Sequence, residues 1–196
     1  MNTIPSHLVI NAAIEKKFGK TLNINKKAFL WGAVTPDFPL GIISIGYFLY
    51  YRYFTTENIS GVMDVMMDKA FGDMYFNNPF WIAGHNFLHS PTALLIYALL
   101  LRKFFNQPNT RGHAWLWFVF GCMNHSIVDI LTHYDDGPVL FFPFDWQTRF
   151  YSPVSYWDRN HYANEFFWVE LGINIVLLAY LFLPNLIARF KNKTKN

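Results

Sequence analysis

The stretch His125-Ser-Ile-Val-Asp129-Ile-Leu-Thr-His133 places two imidazoles and a carboxylate at steps of four residues in an apolar segment. On a helix, such steps keep the three side chains on one face, within about 80°. Imidazole and carboxylate groups are ligands for Zn²⁺ and similar divalent ions. The two histidine Cα atoms would be ~12 Å apart, so two ions fit better than one. A buried polar network in a helix bundle is the alternative interpretation.

The same four-residue step recurs in two other segments, His161-Tyr-Ala-Asn-Glu165 and His85-Asn-Phe-Leu-His89. Two further candidates stand alone. Asp37 follows Pro36 in a turn made rigid by prolines, and His7 follows a helix-capping serine near the start of the chain. Together these side chains are enough to bind two or three ions. His113 has no ligand-type partner in its own segment, so it is not among the candidates. The candidate metal ligands are His7, Asp37, His85, His89, His125, Asp129, His133, His161 and Glu165.

The order of these motifs resembles that of a known group of proteins. An early His, a Pro-Asp turn, a His-rich element, His-x-x-x-Asp and His-x-x-x-Glu is the ligand order of the zinc-dependent phospholipases C and the single-strand nucleases of the same helical fold. The shorter, more apolar version is similar to the bacterial inner-membrane metal-dependent hydrolases of the YdjM-like group. The elements are Pro36-Asp37, His85 to Ser90, and Asn124 to Thr132.

The resemblance implies a role for each candidate. Asp37 would be a bridging ligand; His85, His125 and Asp129 would complete one metal site; and His133, His161 and Glu165 would form a second. His7 would help to hold a third ion beside Asp129. His85 and His89 compete for one ligand position, and the sequence does not choose between them. Zinc is the expected ion, and Asp37 is also our candidate general base.

The composition predicts contact with a membrane. Hydrophobic residues make up 53% of the chain and charged residues only 15%, well below the ~25% of soluble domains. We expect a single domain over residues 1–196, with 166–190 as a candidate membrane-associated helix. The single cysteine, Cys122, excludes an internal disulfide, and Met1–Lys20 does not resemble a signal peptide. An inner-membrane location with the active site facing the cytoplasm is therefore expected.

The 16 cationic and 13 acidic residues give a net charge of +3, and the cationic ones are unevenly placed. They cluster in segments 16–27 and 189–195. These cationic clusters either form a solvated face or attach the chain to an anionic membrane surface. Nucleic acid is not favoured as a partner, because no recognition motif accompanies the lysines.

The periodicity predicts an all-α helical bundle, because no strand alternation is present. The predicted helices are 6–18, 40–54 (buried or interfacial), 60–70, 91–105, one that carries His125 and Asp129 and ends at the turn 135–138, and a last one from 157 or 158 to 183. The segment 139–156 is expected to wrap the site as a loop rich in aromatic residues.

The favoured function is a metal-dependent hydrolase of phosphoester or related ester bonds at the membrane, with a lipid headgroup as one candidate substrate. A non-enzymatic membrane protein with a structural or transported metal is the main alternative. A helical scaffold without metal is the third.

Overall fold

The computed structural model describes residues 4–55 and 66–193. Over these residues the protein is all-α, as predicted, and the only β-type pairing is an isolated bridge between Val139 and Arg149. The main helices are α1 (Ile4–Leu22), α2 (Lys26–Gly32), α3 (Asp37–Phe54), α4 (Pro79–Asn86), α5 (Pro91–Leu101), α6 (Arg111–Thr132) and α7 (Ala163–Lys193). A π-helix (Met66–Met74), a turn of α-helix (Tyr75–Asn77) and two 3₁₀ turns (Arg102–Phe104 and Arg159–His161) complete the list.

Side-chain caps fix the starts of several helices. Asn25 accepts a hydrogen bond from the Ala28 N–H at the start of α2, and Thr110 accepts one from the His113 N–H at the start of α6. Such caps satisfy backbone donors that have no partner inside the helix. The predicted stop of the first helix at Gly19 is wrong: α1 continues to Leu22, and Asn23 ends it with a φ of 53°.

Two glycines allow α2 and α6 to approach each other backbone to backbone. A Cβ atom added to Gly32 would lie 2.3 Å from the Phe118 carbonyl oxygen, and one added to Gly121 would lie 2.3 Å from the Phe29 carbonyl oxygen. Asn11 of α1 donates to the same Phe29 carbonyl at 3.0 Å. These contacts hold α1, α2 and α6 together beside the stretch that carries His125.

The apolar core lies between α5 and α6. Its buried members are Leu94, Ala98, Leu116, Val119 and Cys122. A second cluster joins α4 and α5 to the loop 139–156, which wraps over them as expected. Buried polar groups fix this loop: the Asn86 side chain accepts from the Val139 N–H at 2.7 Å, and the Ser90 hydroxyl donates to the Leu140 carbonyl.

Two helices of the described chain are long and apolar enough to cross a membrane, Arg111–Thr132 and Ala163–Ala188. The second leaves large side chains such as Trp168 and Phe182 exposed. Of its two acidic residues, Glu165 and Glu170, the second faces α1, where it accepts a hydrogen bond from Ser6. A third span is available if α2 and α3, which meet at 45°, form one broken span.

The boundaries of the later helices differ from those predicted. α6 ends at Thr132, so His133 is in an extended conformation just beyond it. The last helix begins at Ala163 and runs through Pro184 instead of stopping before it. Of the helix predicted at 60–70, residues 60–65 lie outside the described residues, and the rest belongs to the π-helix Met66–Met74.

Candidate metal centre

Four ligand atoms from three separate segments converge at the end of α6. Asp37 begins α3, His89 lies in the turn after α4, and His125 and Asp129 are one turn apart on α6. Their nearest ligand atoms all lie within 4.8 Å of one another. His125 Nε2 is 3.1 Å from Asp129 Oδ2 and 3.4 Å from Asp37 Oδ1, and His89 Nε2 is 3.4 Å from each carboxylate. We call these four residues the central cluster.

Backbone carbonyls set the orientation of both imidazoles. His125 Nδ1 lies 2.8 Å from the Ala33 carbonyl oxygen, and His89 Nδ1 lies 2.9 Å from the His85 carbonyl oxygen. Because a carbonyl oxygen only accepts, each Nδ1 carries the proton, and a neutral ring then presents a bare Nε2 lone pair. Histidine ligands of metals are held in this way.

The donor set of the central cluster suits a divalent cation. The two Nε2 atoms are 3.0 Å apart and face two carboxylates. Two lone pairs and two anionic groups at this separation repel one another unless a cation or an added proton lies among them. Imidazole nitrogen and carboxylate oxygen are ligands of zinc and of related first-row metals. The residues present therefore fit a metal ion.

Burial differs sharply among the four ligands. The side chains of His89 and His125 are fully buried, whereas that of Asp37 is 39% exposed. Ser126 donates to the His89 carbonyl and fixes the turn that carries this histidine. The cluster therefore has a closed side, formed by the histidines, and an open side at Asp37.

His7 reaches the central cluster from α1. Its Nε2 lies 3.2 Å from Asp129 Oδ1, and its ring stacks on that of His125 with centroids 3.8 Å apart. The structure therefore places the early histidine beside Asp129, where the resemblance implied it would be.

The geometry favours His89 over His85 as the candidate ligand, because His89 is a member of the central cluster and His85 is not. The ring of His85 stacks between His89 and Tyr75, at centroid distances of 4.1 and 5.1 Å. Burial, and then the neighbouring His89, lower the pKa of His85 well below its ordinary value, so this ring is neutral. Its Nδ1 is buried without a hydrogen bond.

His133 lies at the edge of the cluster, with its Nε2 3.8 Å from Asp129 Oδ1. Its Nδ1 is 3.2 Å from Asp136 Oδ1, and the Trp157 indole donates to Asp136 Oδ2 at 2.8 Å. Burial alone would raise the pKa of Asp136, but His133 and the Trp157 N–H hold it below its ordinary value. Asp136 and Trp157 were not among the predicted site residues; the sequence signal for Asp136 was its position just after the helix.

The structure does not bring His161 and Glu165 into the central cluster. His161 Nδ1 pairs with Asp158 Oδ2 at 2.6 Å, and its ring stacks on Tyr134 at 3.5 Å. Glu165 is exposed. The expected four-residue step on one helix face fails because Tyr162, with a φ of 64°, separates the 3₁₀ turn of His161 from α7. The expected convergence of His133, His161 and Glu165 on one ion is therefore absent from this structure.

A cavity of about 970 Å³ opens over the cluster. Polar groups on its wall include His7, Asp37, His85, Asp129, His133 and Asp136. The rest of the wall is largely apolar or aromatic and includes Leu40, Met67, Phe71, Phe76, Tyr156 and Trp157. The cavity can therefore hold a molecule with one polar end, at the carboxylates, and one apolar end.

An all-helical protein with apolar helices of spanning length and a buried His/Asp cluster belongs to the class of membrane proteins with a candidate metal centre. The family model of the YdjM inner membrane proteins matches residues 1–193, and the chain belongs to this family. Comparison with curated proteins and with solved structures gave no match.

Proposed function

We propose that the protein is a metal-dependent hydrolase that cleaves phosphoester or related ester bonds at the membrane. The observation that carries this proposal is the position of the central cluster on the floor of a large, mainly apolar cavity. A site of this form combines metal ligands with room for an amphiphilic substrate. Asp37, His89, His125 and Asp129 would hold the ion, with His7 next to Asp129.

A divalent cation bound by these residues supplies Lewis acidity, which polarises an ester and favours the ionisation of water. The protein's own residues do the rest. The Ala33 and His85 carbonyls hold the two imidazoles with Nε2 turned inward. Asp37, the most exposed member of the central cluster, lines the cavity, and we propose it as the general base. Leu40 and Phe71 would receive the apolar part of the substrate and exclude water.

The alternative is a structural metal site without catalysis. Four protein ligands are the number that closed, structural zinc sites use, whereas catalytic sites keep one position open for water. The central cluster offers four residues, which favours this alternative. The exposure of Asp37 to the cavity favours catalysis.

One pair of matched variants tests the proposal. We expect that the full chain, purified in detergent without chelators, contains a divalent metal and hydrolyses a chromogenic phosphodiester or phospholipid vesicles. Asp129→Asn should lose metal and activity, while Asp158→Asn, the same change at an aspartate outside the cluster, should keep both. Metal without hydrolysis would support the structural alternative. A metal content near zero in the wild type would overturn both readings.

A further inference from the structure

Cationic residues are concentrated in three segments of the chain. Twelve of the 16 lysines and arginines lie in segments 16–27, 102–111 and 189–195, which contain no acidic residue. Glu15, just before the first of these segments, pairs with Lys26 at 3.1 Å. The other four cations, Arg52, Lys69, Arg149 and Arg159, lie in segments that contain most of the acidic residues.

The fold brings the first two basic segments to one end of the helices. His113, near the start of α6, lies 2.8 Å from the Asn23 carbonyl oxygen and 3.1 Å from the Phe104 carbonyl oxygen, so the α1–α2 turn and the α5–α6 connection meet there. Lys16 donates to the Tyr180 and Leu181 carbonyls, which places the later part of α7 at the same end. We call this region, with Lys17, Lys20, Lys26, Lys27, Arg102, Lys103 and Arg111, the basic end.

The metal centre lies at the opposite end of the same helices. α1 runs from His7 to Lys20, about 20 Å, and α6 runs from Arg111 to Asp129, about 27 Å, at ~1.5 Å per residue. These lengths approach the ~30 Å thickness of the hydrocarbon core of a bilayer. Of the cations at this opposite end, Arg149 is turned inward, donating to the Gly137 carbonyl and stacking over Tyr75.

We propose that the basic end binds the anionic headgroups of the cytoplasmic leaflet and that the metal centre opens toward the other side of the inner membrane. Lys and Arg residues in short connections are retained on the cytoplasmic side, and they are attracted to the anionic lipids of that leaflet. The family and the helices of spanning length indicate that the protein lies in a membrane, and the charge distribution indicates how it is oriented there. This proposed orientation is the opposite of the sequence-based expectation of a site that faces the cytoplasm, and it does not depend on the proposed hydrolysis.

Cysteine labelling of the full chain tests the orientation. The wild type should give no background labelling, because its single cysteine, Cys122, is fully buried. Asn106→Cys marks the basic end and Gln147→Cys marks the end of the metal centre; both positions are exposed. In bacterial spheroplasts, a membrane-impermeant maleimide should label Gln147→Cys and leave Asn106→Cys unlabelled, and both should be labelled after the membrane is permeabilised.

The reverse pattern in spheroplasts would overturn the orientation. Labelling of both positions before permeabilisation would overturn a fixed orientation, and labelling of neither would place both ends on the cytoplasmic side, which also contradicts it.

A second variant tests whether charge sets the direction. Lys17→Gln/Lys20→Gln/Lys103→Gln removes three exposed cations of the basic end and should allow part of the Asn106→Cys population to be labelled in spheroplasts. Unchanged exclusion of the label would show that these cations do not set the orientation.

Discussion

His85 and His89 are four residues apart, like the pair His125 and Asp129, but the two histidines have different roles. His89 provides a ring nitrogen to the central cluster, whereas His85 provides its backbone carbonyl, which orients the His89 ring. The four-residue step therefore matters here because it brings a backbone acceptor to an imidazole, and not because it forms a chelating pair.

This difference gives the first prediction. His89→Asn should weaken zinc binding at least about tenfold, because it removes a cluster nitrogen. His85→Asn should change the affinity by no more than about threefold, because the carbonyl that orients His89 remains in the variant. Isothermal titration of chelator-treated protein with zinc measures both. A loss in His85→Asn equal to that in His89→Asn would make His85 a ligand.

At the scale of the elements, the α2–α6 contact couples packing to the site. α2 leads directly to Ala33, whose carbonyl fixes His125, so any displacement of α2 moves this acceptor. Gly121→Ala should destabilise the protein by about 1–3 kcal/mol, because the new methyl group would meet the Phe29 carbonyl. It should also weaken zinc binding, because a displaced α2 would move the Ala33 carbonyl that orients His125.

The matched control for Gly121→Ala is Gly172→Ala on α7, where a Cβ atom meets nothing within 4 Å. It should be neutral or stabilise by up to ~1 kcal/mol, since alanine favours helix. Thermal unfolding in detergent, followed by circular dichroism, compares the two variants. Equal midpoints for Gly121→Ala and the wild type would mean that the close approach of α2 and α6 is relaxed in solution.

Lys16 explains how α7 continues through a proline. Pro184 has no N–H, so it cannot donate to the carbonyl four residues earlier, that of Tyr180. Lys16 donates to this carbonyl instead, and also to that of Leu181. The predicted helix end before Pro184 was wrong because a side chain from a distant helix supplies the missing donor.

We therefore expect Lys16→Met to destabilise the protein by about 1 kcal/mol. The effect should shrink in a Pro184→Ala background, where the alanine N–H satisfies the Tyr180 carbonyl. Lys17→Met, at the next position and exposed, is the control and should leave the midpoint unchanged. A double-mutant cycle measures the coupling, and additive effects of Lys16→Met and Pro184→Ala would contradict this account.

The sequence predicted those parts of the site that depend on one continuous helix. His125 and Asp129 share a face because both lie within α6, and their spacing alone indicates this. His161 and Glu165 have the same spacing, but a left-handed residue lies between them, which periodicity does not reveal. The positions of Asp37 and His89 depend on how α2 and the turn after α4 pack on α6. Such packing is long-range information that residue spacing does not contain.

At the scale of the whole molecule, a cation at the central cluster would link segments that are far apart in the chain. A ligand that binds only the folded state stabilises it by RT ln(1 + [L]/Kd), or about 2.7 kcal/mol at 100 times Kd. Addition of zinc should therefore raise the melting temperature of the wild type, and a chelator should lower it. Asp129→Asn should respond to neither; a similar shift in that variant would place the binding site elsewhere.

The contact between α1 and α7 also determines when the fold can be completed during synthesis. Ser6, next to His7, donates to Glu170, which lies 164 residues later in the chain. A ribosome produces α1 before α7, so at typical rates this partner is added roughly 10–30 s after Ser6. Until then, the turn of α1 that carries His7 lacks this partner on α7. The support of the candidate metal centre from α1 is therefore completed only after α7 has been made.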